Sequence, residues 1–542
     1  MNSESRSRND RAASEEVRES SGSASLHRSW LLVALLALAA LAIRLYGLGR
    51  ESLWNDELFT ATLAAYPTSD EFWERLGNDV HPPLYFLLVR LWAGVFGDSE
   101  TALRMPSVLA GTALVPAMYF LGARVFAPRE GLYAAAIAAF GFQAIFYSQE
   151  ARMYSPLILC AALAGASFWS IWAPVAPPAT KATRTEPSQP EPTPTLPKTS
   201  AWIAYALFSL CAAYLHYFGL LAVALADLAL VGASIRRASL RWGAAAVVAA
   251  HTLAYLPWLP ALKRSLGREG YHAGVPGLQE LAQTFGTVYW SWAPAAAGVA
   301  LVLVIAAARW LRPESRKSSE GASASAFLAV WAAAPVVIAF LKSRILTPTY
   351  IPRFFLVCAP AAWLLFVRAW LSLPLPRAAL AWLFAGFLLF ATGGQIAKTG
   401  YFLRETKEPY RRASQFVLSR LAQAGPIEPS RTLTSDPPSL RTTLAYACSW
   451  DADNFGYYFR RAGKSGLLQA FSLKTMDSGD LRAAFADPMS TTRDRRTPLR
   501  VWFLSGNVPV SEAFRNALFR EATIVEQRRF DRLWVALVEI RR

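Results

Sequence analysis

Long apolar runs recur along most of this chain, and they constrain its fold more than any other feature. The first covers residues 30–43, and 54% of the whole chain is hydrophobic. Since a helix crosses a bilayer with about 20 apolar residues, the sequence predicts an α-helical integral membrane protein with about eleven transmembrane helices. The other predicted spans are 105–126, 131–147, 154–173, 201–216, 218–235, 242–261, 285–308, 325–341, 353–371 and 378–396.

The apolar run 84–96 is expected to lie along the membrane interface and not to cross. It is shorter than a span, it follows two prolines, and Arg90 stands at its middle. At the end of the first span, Arg44 is expected to extend its side chain to the interface.

Basic residues then set the orientation through the positive-inside rule. With 84–96 left out of the count, the N-terminus and four Arg-rich loops fall on the cytoplasmic side. The arginines and the lysine of these loops are Arg124, Arg129, Arg236, Arg237, Arg241, Arg309, Arg312, Arg316, Lys317, Arg368 and Arg377. The loops on the other side contain residues 56–57, 81–83, 149–154, 216–217, 263–281 and 349–353.

Three parts without a clear membrane signal complete the predicted organisation. Residues 1–28 are predicted to be a disordered cytoplasmic tail and 174–200 a disordered linker inserted into the transmembrane domain 29–398. Residues 399–542 are predicted to form a small extracytoplasmic α/β domain. Its elements are an amphipathic helix over 405–424, a strand at 500–504 and a hairpin of 522–530 with 533–540.

Composition excludes several functions. The formal charge is +17, but the basic residues lie between apolar runs without aromatic interleaving, so nucleic acid is not an expected partner. Three of the four cysteines lie in apolar runs, which favours packing over a disulfide framework. The chain has no phosphate-binding glycine loop, no zinc-protease motif and no nucleophile elbow.

Polar motifs at the outer side indicate chemistry. Asp56 and Glu57 form an acidic pair just beyond the first span, and carboxylates at a membrane surface are usually functional. A carboxylate base beside basic groups that could bind a phosphate is the chemistry that these motifs indicate, because arginines close to the bilayer plane suit a phosphate head. Nucleotides are scarce outside the cytoplasm, so a transferase there would take its group from a lipid phosphate.

The motifs W54-N-D-E57, H81-P-P-L-Y85, F96-G-D-S-E100, A102-L-R-M-P-S107 and S148-Q-E-A-R-M-Y154 together resemble the polyprenyl-phosphate-dependent GT-C glycosyltransferases. These include the protein O-mannosyltransferase and aminoarabinose transferase relatives and the bacterial family 39 and 83-like enzymes. The resemblance covers residues 30–400 and is strongest over 50–160. It implies the GT-C fold and an inverting transfer from a polyprenyl-phosphate sugar, with a carboxylate of the first outer loop at the catalytic centre.

The implied catalytic residues are Asp56, as the general base, and Glu57 in support. Arg152 and Arg353 would then stabilise the leaving phosphate. The implied substrate-binding residues are His81, Tyr85, Arg104, Gln149, Glu150, Arg152, Tyr154, His216 and Arg353. No cofactor is required, and a divalent metal is compatible with the chemistry although no ligand cluster indicates one. The expected partners are the polyprenyl-phosphate sugar donor, membrane lipids and an acceptor that is a lipid A-like lipid, a cell-envelope glycan or a protein. The expected location is the bacterial inner membrane.

Simpler interpretations stay open at this stage. The acidic pair could cap a helix, His81 could belong to a rigid turn, Arg353 could anchor the interface, and His216 could be a hydrogen-bonded structural histidine. Asp227 is expected to be a buried hydrogen-bonding group. The motif 451–453, which resembles the DxD of nucleotide-sugar enzymes, is expected to be a loop. As a whole, the chain could instead be a transporter or flippase, or a non-catalytic carrier-binding envelope assembly protein.

Overall fold

The computed structural model describes residues 27–173, 197–266, 274–310, 319–423, 444–471, 499–506 and 522–540. Most of the predicted tail and of the predicted linker therefore lies outside the described residues. The helices before the linker are α1 (His27–Leu45), α2 (Asn55–Ala64), α3 (Ser69–Gly77), α4 (Leu84–Phe96), α5 (Glu100–Val125), α6 (Pro128–Phe140), α7 (Phe142–Ser148) and α8 (Tyr154–Trp172).

After the linker the described chain is again mostly helical. The helices are α9 (Thr199–Leu215), α10 (Tyr217–Arg236), α11 (Arg241–Tyr255), α12 (Leu259–Leu266), α13 (Leu278–Val288), α14 (Ala293–Trp310), α15 (Ser319–Ile345), α16 (Ala359–Leu371), α17 (Arg377–Thr399), α18 (Tyr410–Gln423) and α19 (Ser449–Arg461). Short 3-10 helices cover Ala238–Leu240, Leu256–Trp258, Pro352–Cys358 and Ser465–Leu467.

The predicted membrane architecture is confirmed. Among the described residues, 8 helices are long and apolar enough to cross a membrane, and up to 10 if each of two bent pairs is one span. The pairs are α6 with α7, bent by 52°, and α13 with α14, bent by 88°. Helix α9 is apolar but shorter, with 17 residues. Each of the predicted spans coincides with one of these helices or pairs.

Helix α4 has the bounds expected of the interfacial segment. Its 13 residues rise by about 20 Å, which is less than the roughly 30 Å of a hydrocarbon core. That α4 lies along the interface stays a prediction.

The break between α6 and α7 explains why Arg44 does not reach the interface. The break frees the last four carbonyls of α6, at residues 137–140, which in a membrane must find other donors. They accept, in chain order, from Gly141 N, Arg44 Nη2, Arg44 Nη1 and Thr392 Oγ1 at 2.7, 2.7, 3.1 and 2.9 Å. Arg44 is fully buried, and the expected extension to the interface is wrong because these carbonyls bind its guanidinium.

The chain divides into two compact units. The first contains Met1–Tyr46, Trp73–Leu88 and Arg104–Thr399, and the second contains Gly47–Phe72, Val89–Leu103 and Gly400–Arg542. The domain boundaries 29–398 and 399–542 stay a prediction, but two early segments group with the C-terminal part in this division.

Within the first unit, arginines that the sequence places in the cytoplasm share one end of the helices. Their partners lie at the end of α8, at the start of α6 and just after the end of α5. The contacts are Arg124 Nη1 to Ser170 Oγ at 3.2 Å, Arg237 Nη1 to Trp172 O at 2.7 Å, Arg368 Nη1 to Glu130 Oε1 at 2.9 Å, and Arg368 over the Phe126 ring at 5.0 Å.

A polar cluster ties α9, α10 and α11 together inside the apolar part of this unit. Asp227 accepts a hydrogen bond from Tyr205 Oη at 2.8 Å, and its second oxygen lies 2.7 Å from His251 Nδ1. His251 Nε2 lies 2.8 Å from Ser209 Oγ. Asp227 is therefore a hydrogen-bonding group between helices, as expected.

A five-stranded sheet lies in the second unit. Its strands are β1 (Leu444–Cys448), β2 (Leu468–Phe471), β3 (Leu499–Ser505), β4 (Ala522–Phe530) and β5 (Leu533–Ile540), in the order β2-β1-β3-β5-β4. Strand β1 is parallel to β2 and β3, whereas β5 is antiparallel to β3 and β4. The predicted hairpin is confirmed, and Asp531 makes its turn in the left-handed region with φ 51°.

The two helices of the C-terminal part differ from expectation. The predicted helix 405–424 begins only at Tyr410. The motif 451–453 lies within helix α19, so its interpretation as a loop is wrong. Aromatic residues of α19 are buried, and that apolar face explains why the segment folds as a helix.

Candidate active site

A chain of polar contacts joins the turn after α3 to the start of α8. His81 Nδ1 lies 3.1 Å from Asp79 Oδ2, and Arg152 Nη2 lies 3.3 Å from His81 Nε2. A guanidinium has only donors, so His81 Nε2 accepts and the proton sits on Nδ1, facing the carboxylate. Asp79 thus orients His81, and His81 orients Arg152.

The backbone of Arg152 is also held from the neighbouring helices. Ser107 Oγ donates to Arg152 O at 3.0 Å and lies 2.9 Å from the hydroxyl of Tyr85. Because the Ser107 proton goes to Arg152, Tyr85 is the donor to Ser107. Tyr85 is fully buried, and Arg104, one turn before Ser107 on α5, is buried as well.

His216 joins this group from the junction of α9 and α10. Its ring lies 5.7 Å from that of His81, 6.2 Å from that of Tyr154 and 4.6 Å from that of Phe354. Its Nδ1 accepts from Phe218 N at 3.1 Å, which caps the first turn of α10. His216 therefore has the structural role considered above, because its Nδ1 caps α10. The opposite edge of the ring, with Nε2, lies among the charged residues.

The second nitrogen of His216 is available to a ligand. Since Nδ1 accepts, the proton of the neutral ring is on Nε2, and no described residue accepts from it although the side chain is buried. Burial lowers the pKa of His216 well below its usual value, and electrostatic interactions with His81, Arg152 and Arg353 lower this pKa further. His216 therefore presents a neutral N–H donor.

Asp79 balances the positive charge of the group. Burial alone would raise its pKa, but the hydrogen bond from His81, the electrostatic interaction with the His81 ring, the Val80 backbone and the charge of Arg152 together lower it. Asp79 is therefore ionised at neutral pH. We call Asp79, His81, Arg152 and His216 the Arg152 cluster.

Other predicted site residues lie around the Arg152 cluster. Arg353 is the second residue of the 3-10 helix that carries Phe354, and it interacts electrostatically with His216 and Tyr147. Glu150 is buried and also interacts with Tyr147, whose ring lies 5.1 Å from that of Tyr154.

Gln149 differs from its neighbours because its amide is used by the protein. Its Nε2 donates to Arg44 O at 2.8 Å and to Tyr46 O at 2.9 Å. Gln149 therefore holds the end of α1, and its role in binding substrate stays a prediction.

The acidic pair lies in the second unit, at the start of α2. Glu57 is fully buried, and its Oε2 accepts from Trp54 N at 3.3 Å and from Lys407 Nζ at 3.0 Å. Asp56 is half-buried, and its backbone oxygen accepts from Thr60 Oγ1 at 3.1 Å. The capping considered for this pair is thus made by Glu57, and the two carboxylates have different environments.

Sequence reasoning missed three residues in these arrangements. Asp79 stands two residues before His81, so its position in the motif was a usable signal. Phe354 and Lys407 gave no comparable signal, because an aromatic in an apolar run and a lysine in a polar segment are both common. Among the described residues, no group of three or more His, Cys, Asp or Glu side chains could hold a metal ion.

Comparison with known proteins supports the resemblance seen in the motifs. The model of the dolichyl-phosphate-mannose-protein mannosyltransferase family matches residues 80–173, which contain His81, Arg104 and Arg152. A search of curated proteins found no match.

Solved structures show the same fold at low sequence identity. ArnT from Cupriavidus metallidurans bound to undecaprenyl phosphate matches with a TM-score of 0.57 and 13% identity, over 93% of this chain and 97% of that one. Its apo form matches with a TM-score of 0.57 and 14% identity, over 94% and 98%. The Archaeoglobus fulgidus oligosaccharyltransferase matches with a TM-score of 0.52 and 11% identity, over 88% of this chain and 69% of that one.

These matches show that the chain has the GT-C fold that ArnT and the archaeal oligosaccharyltransferase share.

Proposed function

We propose that this protein is a membrane glycosyltransferase that moves a sugar from a polyprenyl-phosphate carrier to an extracytoplasmic acceptor. The observation that carries the proposal is the Arg152 cluster, in which the Asp79 carboxylate holds the buried Arg152 guanidinium through His81, near the neutral N–H donor of His216. Such a group suits a phosphate, because charge-assisted hydrogen bonds to an anion are strong where water is excluded. The GT-C fold and the match of 80–173 to a family that uses a lipid phosphate sugar support it.

The cluster would act on the leaving phosphate. As the bond between the anomeric carbon and the phosphate oxygen breaks, negative charge grows on that oxygen. Arg152 and Arg353 supply positive charge, and His216 Nε2–H supplies a hydrogen bond. His81 and Asp79 keep Arg152 in place, so little reorganisation is needed during the reaction.

Asp56 is the proposed base. The acceptor hydroxyl or amine must lose a proton as it attacks, and a half-buried carboxylate can take it. A single displacement of this kind inverts the anomeric centre.

The proposed location is the bacterial inner membrane, with the Arg152 cluster on the extracytoplasmic side. The support is the separation in the first unit between the Arg152 cluster and the end that holds Arg124, Arg237 and Arg368. By the positive-inside rule, that arginine-rich end faces the cytoplasm.

Cysteine labelling tests this orientation. In a variant without the four native cysteines, Val275→Cys is expected to react with a membrane-impermeant thiol reagent in intact cells, and Leu375→Cys is not. Val275 is 62% exposed and Leu375 is 43% exposed, so neither is protected by burial, and the side of the membrane on which each one lies decides whether it reacts. Leu375→Cys should react after permeabilisation. Labelling of Leu375→Cys but not of Val275→Cys in intact cells would reverse the orientation.

A turnover assay tests the function. The purified protein in proteoliposomes is given radiolabelled polyprenyl-phosphate hexoses and pentoses, with lipid, glycan and peptide acceptors. We expect label to move to one acceptor class with release of polyprenyl phosphate. A carrier-binding protein would bind undecaprenyl phosphate without turnover, and a flippase would move the carrier across the bilayer with its sugar attached. Either result would refute the transferase assignment.

A further inference from the structure

The segment before and within the first turn of α2 is held by residues far along the chain, all in the second unit. Five successive contacts connect residues 51–57 to residues 406–408 and 454–458. They are Glu51 Oε1 with Thr406 N at 2.7 Å, Ser52 Oγ with Glu408 O at 2.9 Å, Leu53 N with Tyr458 Oη at 2.9 Å, Asn55 Oδ1 with Asn454 Nδ2 at 2.9 Å, and Glu57 Oε2 with Lys407 Nζ at 3.0 Å.

The contact between Lys407 and Glu57 differs from the others because both groups are charged and buried. The side chain of Glu57 is 0% exposed and that of Lys407 is 8% exposed. Removing one partner of a buried ion pair leaves an uncompensated charge, which is strongly unfavourable. The position of Glu57 therefore depends on Lys407.

Glu57 in turn shapes the first turn of α2. The same oxygen that binds Lys407 accepts from Trp54 N, so the carboxylate closes the start of the helix. Asp56 lies in that turn, between Asn55 and Glu57. If Glu57 leaves its place, the turn loses its closure, and the carboxylate of Asp56 moves with the backbone.

We propose that Lys407 is a positioning residue for Asp56, acting through Glu57. This inference rests on the proposed role of Asp56 as base. It gives the C-terminal part of the chain a function in the transfer step, because Lys407 follows the last predicted span. Lys407 touches neither donor nor acceptor in this proposal; its effect passes through the buried carboxylate and the first turn of α2.

The test compares Lys407→Met with a charge-compensated double variant. Lys407→Met is expected to lower kcat by about 10²-fold, the scale of a 1 Å displacement of a reacting group, with little change in the KM for the donor. In Lys407→Met/Glu57→Gln no buried charge is left, and the amide oxygen of the glutamine can still accept from Trp54 N. The double variant is therefore expected to recover most of the lost rate.

Hydrogen exchange gives a readout that is independent of turnover. Amides of residues 52–64 are expected to exchange faster in Lys407→Met than in the wild type, and at the wild-type rate in the double variant. Arg412→Met is the matched control, because it removes an arginine five residues later whose ion pair with Glu405 is 64% exposed on the arginine side. Exposed pairs contribute little, so this control should change neither rate nor exchange.

The outcomes separate this inference from the proposed function. A slow Asp56→Asn with a wild-type rate in Lys407→Met would overturn the inference alone, and so would a slow Lys407→Met that the double variant does not rescue. A wild-type rate in Asp56→Asn would refute Asp56 as base, and with it the role of Lys407. If Lys407→Met does not fold, the folded double variant decides: transfer near the wild-type rate supports the inference, and transfer as slow as in Asp56→Asn overturns it.

Discussion

Asp56→Asn is expected to lower kcat by roughly 10²- to 10⁴-fold, the usual contribution of a general base, with little change in donor binding. The substitution keeps the shape of the side chain and removes its ability to take a proton from the acceptor. The measurement is the initial rate of label transfer from a polyprenyl-phosphate sugar in proteoliposomes, with undecaprenyl phosphate binding measured separately.

The matched control for Asp56→Asn is Asp70→Asn. Asp70 is the second residue of α3 as Asp56 is the second residue of α2, so the two changes remove the same charge from the same helix position. Asp70 is exposed, and its variant should transfer at the wild-type rate. A wild-type rate in Asp56→Asn together with a slow Glu57→Gln would move the base to Glu57. If neither variant is slow, the first outer loop is structural.

Arg152→Lys is expected to raise KM for the donor and to lower kcat together. The lysine keeps the charge but loses the planar fork that can bind two oxygens of a phosphate, and it loses the contact with His81 Nε2. Hydrogen bonds to charged groups contribute about 1.5–3 kcal/mol, so the loss in kcat/KM should be roughly 10- to 100-fold. Steady-state kinetics over a range of donor concentrations separates the two parameters.

Arg124→Lys serves as the control for this change. Arg124 lies at the end of α5 that is remote from Ser107, the residue that binds Arg152 O. Arg124 is exposed there and binds Ser170 Oγ at 3.2 Å, so its variant should keep both kinetic parameters. Unchanged kinetics in a folded Arg152→Lys protein would contradict the assignment of Arg152 to the donor phosphate. The size-exclusion profile in detergent establishes folding for all variants before rates are compared.

The membrane architecture could be predicted because it depends on local composition. An apolar run of sufficient length has one stable arrangement in a bilayer, a helix whose backbone groups bond within the segment. The spans and the bounds of α4 could be predicted from the length of their apolar runs. The terminal hairpin could be predicted from its alternating residues and its turn, which are also local features. For Arg44, where the prediction was wrong, a partner distant in sequence decided the outcome. Arg44 is buried because the break between α6 and α7 exposes carbonyls, and no feature near Arg44 reports that break.

In the candidate site, too, the residues could be predicted from local sequence, whereas their contacts could not. Its motifs identified His81, Arg152 and His216 as residues of interest, because polar groups beside membrane spans are rare and costly. Their order of contacts was not predictable. The route from Asp79 through His81 to Arg152 depends on how the turn after α3 meets the start of α8, and the N–H donor of His216 depends on its cap of α10.

The sequence by itself determined that this is a helical membrane protein with a small α/β part. It also determined the approximate bounds of the spans and a set of motifs that resemble those of the GT-C glycosyltransferases. Hydrophobic length, charge between spans and short motifs carry that information, and each acts over a few neighbouring residues. Only the tertiary structure decided that Glu57 is buried against Lys407 while Asp56 beside it is half-buried. Adjacent residues with the same charge can differ in this way because burial and ion pairing are set by segments hundreds of residues away, which bring a single lysine to one carboxylate.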